Sequence, residues 1–64
     1  MDIAEHVVAI KRLAGKLEEL SADVSGRNDV ELVAAFTSVR YHALAGELIA
    51  HDALFKRMAR GGSK

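Results

Sequence analysis

Glu47 and His51 stand four residues apart, the spacing that puts a carboxylate and an imidazole on one face of a helix. Such a pair can hold a metal ion or orient a general base. Two ligands do not complete a metal site, and the Glu-x-x-His pairs of carboxylate-bridged di-iron bundles do not occur in this chain. The expectation is therefore a partly buried His51 hydrogen-bonded to Glu47, with no metal and no cofactor. Imidazole ordinarily titrates near pH ~6.5. A His51 held between Leu48 and Phe55 is accordingly expected to loosen an assembly on acidification. His42 falls beside the same seam and His6 edges the first helix. An antiparallel arrangement is expected to bring His6 near Leu54–Met58, within reach of His51 or Asp52.

Nucleophile chemistry finds less support. Thr37, Ser38, Tyr41 and Ser63 carry hydroxyls, but none lies in a Gly-x-Ser-x-Gly elbow or beside a base with its own orienting acid. Gly26 and Gly46 stand alone, so no glycine-rich loop cradles a phosphate. The chain has no cysteine, which removes disulfides and thiolate metal sites. These residues argue for a protein that is not an enzyme.

The elements that must position these side chains are helical. Half of the 64 residues are apolar, 28% are charged and proline is absent, a globular and helix-prone profile. Asp2 and Glu5 form a capping-box-like start, from which helix 1 is expected over about 3–24. Its apolar seam is Ile3, Val7, Ile10, Ala14, Leu17, Ser21 and Val24, widened on one edge by His6, Leu13 and Leu20. Gly15 interrupts it at a cost of about 1 kcal/mol unless a neighbour comes close. Residues 25–28 form the turn, with Gly26 suited to a left-handed position and Asn28 paired with Glu31 as the next cap. Helix 2 is expected over about 29–60, running unbroken through Thr37-Ser38, whose hydroxyls can bond back to a carbonyl. Residues 61–64 read as a frayed tail. The fold class is thus all-α, an antiparallel two-helix hairpin making one domain over residues 1–64.

Helix 2 carries two seams. Val30, Ala34, Thr37, Tyr41, Leu44, Leu48, His51, Phe55 and Met58 recur at 4-3-4-3 spacing, the mark of a helix packed on another. Leu32, Phe36, Val39, Ala43, Gly46, Ala50 and Ala53 repeat the rhythm on another side. One partner helix can cover only one of them. With helix 1 on the bulky seam, the interface left for a partner is Leu32, Phe36, Val39, Ala43, Gly46, Ala50 and Ala53, rimmed by Arg40. A chain this short buries little of its own surface, and oligomerisation is the common remedy. A homodimer closing a four-helix bundle is therefore expected.

Nine basic and nine acidic residues balance overall, so no global charge draws nucleic acid or lipid. In the expected hairpin, however, one end gathers Lys11, Arg12, Lys16, Arg57 and Arg60. The leading function is a small helical interaction module, a regulator, adaptor or assembly subunit that binds itself and another protein. The alternative is a nucleic-acid-binding dimer using those five cations as phosphate contacts. A metal-dependent or enzymatic role at His51 and Glu47 comes third. The N-terminus lacks a basic region before an apolar run, and the longest uncharged run, Leu32 to Val39, falls short of the ~20 residues a membrane helix needs. A cytoplasmic protein without a membrane partner is expected.

Overall fold

A computed structural model describes residues 1–62. It is all-helical: α1 spans Ile3–Ser21 and α2 spans Asp29–Gly62, with no strand among the described residues. Asp2 caps α1 by accepting the Glu5 N–H at 2.9 Å, as its place ahead of an apolar repeat predicts. α1 ends three residues before the expected Val24, and the cause is local. Asp23 accepts the Ser25 N–H at 2.9 Å, while Ser25 Oγ accepts from the Arg27 N–H and Nε–H. These short-range bonds compete with the next helical turn. They leave Val24 at 97% exposure, outside any seam.

Gly26 has φ +85°, the left-handed backbone expected of it. Asn28, expected as a cap, instead sends its side-chain N–H across the turn to the Leu20 carbonyl at 3.4 Å, while its own carbonyl accepts the Leu32 N–H at 2.8 Å. α2 runs unbroken through Thr37, whose hydroxyl donates to the Val33 carbonyl at 2.8 Å. It also includes Gly61 and Gly62, two residues past the expected end. The rest of the expected tail, Ser63 and Lys64, lies outside the described residues.

Contacts between the helices run in opposite senses: Leu20 meets Asn28, and His6 meets His42 and lies 4.0 Å from where a Cβ on Gly46 would stand. The molecule is a rod with extents of 60 × 16 × 15 Å. With 19 residues against 34, α1 accompanies α2 only to about residue 49. At 1.5 Å per residue, the last stretch of α2 extends about 20 Å beyond it.

The face of α2 turned to α1 is marked by its lower exposure: Asn28, Leu32, Ala35, Val39, His42, Gly46, Ile49 and Ala53, again at 4-3 spacing. On α1 the matching line is His6, Ile10, Leu13, Leu17 and Leu20. α1 therefore packs on the small-residue seam, the reverse of the sequence expectation. Its leucines are large and need a shallow counterpart, and alanine and glycine let the two backbones approach. On α1 itself, the residues expected only to widen the seam form its centre. Ile3, Val7, Ala14 and Ser21 face outward.

Candidate interaction face

Because α1 takes the small side of α2, the bulky seam is left in solvent. Val30 is 83% exposed, and Val33, Tyr41, Leu44, Leu48, Phe55 and Met58 are each more than half exposed. At 100° per residue these positions centre on the line diametrically opposite the one that meets α1. They run most of the length of α2. Among the described residues only Ala35 and His6 fall to near-complete burial, at 5% and 4%. α2 leaves Tyr41, Leu44, Leu48, Phe55 and Met58 outside, while Leu32, Val39 and Ile49 are half-buried within.

The expected interface residues divide accordingly. Leu32, Val39 and Gly46 are half-buried on the α1 side, so they are occupied within the chain; Ala53 is half-buried but stands past the start of α1. Phe36, Arg40, Ala43 and Ala50 are exposed, Phe36 and Arg40 lining a shallow depression with Val33 and Thr37. Sequence reasoning placed Val33 in neither seam, although it stands one turn after Val30 and one turn before Thr37.

His51 is exposed rather than partly buried; its ring lies 6.5 Å from that of Phe55, and it makes no hydrogen bond to Glu47. The two residues instead share a shallow depression with Ala50 and Leu54. His6 does not approach His51 or Asp52. The turn sets the pairing, and it brings residue 6 level with residue 42. There His6 Nδ1 and His42 Nδ1 lie 2.8 Å apart, and Tyr41 sets its ring edge-on to both imidazoles. One ring must donate and the other accept, so at least one stays neutral while the bond persists. Both histidines occupy the inner heptad lines, His6 with Leu13 and Leu20, His42 with Asn28, Ala35 and Ile49. That shared phase was the signal for the pair. Among the described residues no group of three or more His, Cys, Asp or Glu side chains is placed to hold a metal ion.

The five basic residues proposed for phosphate contact do not converge. Lys16 borders a depression with Leu13, Glu31, Ala34 and Ser38, near the turn, whereas Arg57 and Arg60 lie beyond the start of α1. About 35 Å of helix separates the two groups. The ion pairs Lys56–Asp52 at 2.9 Å and Arg27–Asp23 at 4.0 Å are exposed and contribute little. At the turn, the Ser25 hydroxyl and then its N–H hold the Asp23 carboxyl below its ordinary pKa. No helix among the described residues is long and apolar enough to cross a membrane. No protein-family model matches the chain, nor does any curated protein or solved structure.

Proposed function

We propose that this chain is an interaction module: an antiparallel helical hairpin whose longer helix presents an apolar face to another helix, as a cytoplasmic regulator, adaptor or assembly subunit rather than an enzyme. One observation carries this reading. The largest apolar side chains of α2 form a continuous exposed stripe from Val30 to Met58, opposite the side that α1 covers. Patches of that kind mark protein–protein contact sites, and an amphipathic helix laid along a hydrophobic face is a common recognition mode. The four-helix assembly expected from the sequence then forms with α2 at its centre and α1 outside. The seams exchange roles; the layout does not.

The test is cross-linking in the native host, with the wild-type chain compared with Leu44→Asp/Leu48→Asp. The expected result is cross-linked peptides from residues 30–58 in the wild type, joined to a copy of this chain or to another protein. The variant should lose them while keeping its helical circular dichroism. Equal cross-linking of both proteins overturns the reading.

A further inference from the structure

We infer that the occupant of the α2 stripe is a second copy of this chain, laid antiparallel about a two-fold axis near Leu44; this rests on the interaction-module reading and names its partner. Area is the first argument. A compact monomer of this mass exposes about 4,000 Å², whereas this chain exposes 5272 Å². The excess is more than the roughly 800 Å² that each partner of a standard interface buries.

The second argument is the symmetry of the stripe. About Leu44, Val30 comes level with Met58 of the second copy, Val33 with Phe55, and Thr37 with His51. Leu44 meets its own counterpart, while Tyr41 and Leu48 come level with Glu47 and Arg40 on the shoulder of the stripe. The stretch of α2 beyond α1 then lies along the first turns of the partner's α2 and gains the neighbour it lacks within its own chain.

Charge decides the direction. Arg40 and Glu47 are exposed on the same shoulder of the stripe, seven residues apart, and neither has an ion-pair partner among the described residues. Like shoulders meet in an antiparallel helix pair, so Arg40 of each copy faces Glu47 of the other, twice over. The midpoint between them falls beside Leu44, at the centre of the apolar symmetry. A foreign partner gives no reason for these two centres to coincide. In a parallel pair opposite shoulders meet, and Glu47 would stand against Asp52 of the other copy, two carboxylates together.

The chain lacks cysteine, so single-cysteine variants report orientation directly. Under mild oxidation, a mixture of Val30→Cys and Met58→Cys should give the mixed disulfide in preference to either homodimer. A Val30→Cys homodimer as the main product overturns the antiparallel alignment. By sedimentation equilibrium, Leu44→Asp should raise the dimer Kd about 30-fold or more. Arg40→Glu and Glu47→Arg should each raise it about tenfold, and the double variant should return it to near the wild-type value. Dimers indifferent to all three changes place the second copy elsewhere and overturn the inference. A wild-type chain that stays monomeric at roughly 100 µM, far above a micromolar Kd, also overturns it. Host cross-links from residues 30–58 to a different protein would then leave the interaction-module reading standing; the absence of any would end both.

Discussion

The two sides of α2 follow one rhythm and come to different ends. On the side facing α1, the small Ala35 and Gly46 are interleaved with Leu32, Val39 and Ile49, opposite the leucines of α1. On the far side Leu44, Leu48 and Phe55 supply volume with nothing in α1 to receive it. Periodicity alone marks both sides as seams. Size matching decides which one closes within the chain, because large residues on both helices would hold the backbones apart. The inner side joins the two helices; the outer side is free for another molecule.

Single aspartates on the outer side and on its shoulder should mark where the proposed contact is centred. The largest effect is expected from Leu44→Asp on the outer side, which should abolish association at micromolar concentration while the chain remains helical, read by sedimentation and circular dichroism. Phe36→Asp, on the shoulder between the sides, should weaken association less. If Phe36→Asp dissociates the assembly and Leu44→Asp does not, the assignment of the outer side is wrong.

Next comes the histidine pair, the polar centre of the inner side. His42→Ala leaves the buried His6 without its partner and should cost about 1–3 kcal/mol, the penalty for an unsatisfied buried polar group. Replacing both rings, as His6→Leu/His42→Leu, should recover most of that loss, since removing both partners of a bond is far less costly than removing one. Urea denaturation of the three proteins under identical conditions measures the comparison. A double variant as unstable as His42→Ala would show that the rings matter for shape rather than for their bond.

A smaller effect of opposite sign is expected at Gly15. Nothing stands within 4 Å of the Cβ that Gly15→Ala would add. The exposed position should therefore gain roughly 0.5–1 kcal/mol from helix propensity. The gain should appear in thermal stability without a change in the Kd of the proposed dimer. The smallest effect concerns the turn. Asp23 has a lowered folded-state pKa because Ser25 hydrogen-bonds its charged form. Its contribution is present above the ordinary carboxylate value of about 3.9 and is lost as pH falls through the lower folded value. Asp23→Asn should flatten that part of the acid-unfolding curve, and a superimposable curve would remove Asp23 from the account.

What the sequence made legible was what local chemistry decides. Asp2 ahead of an apolar repeat, Gly26 in the turn and a helix continuous through Thr37 all depend on atoms within a few residues. The choice between seams was not legible, because two stripes of equal period on α2 differ only in what α1 offers them. The end of α1 was missed for another reason: Val24 keeps the heptad phase, but the Asp23–Ser25–Arg27 bonds take the backbone out of the helix first. The His6–His42 contact follows from register, and register depends on where α1 ends. The three residues at its end are only part of the difference: counted back from the turn, an α1 ending at Val24 still puts His6 level with about residue 47, short of Leu54–Met58.

The unequal lengths of the helices bear on how long a molecule of this protein survives. In a solitary copy the last third of α2 has no stretch of α1 alongside it, and a short helix without a packed neighbour opens readily. Such an end is where a protease takes hold. Pairing would close it, so turnover should slow as copies accumulate and quicken as they grow scarce. The steady amount of the protein would then depend on its own crowding as much as on its rate of synthesis.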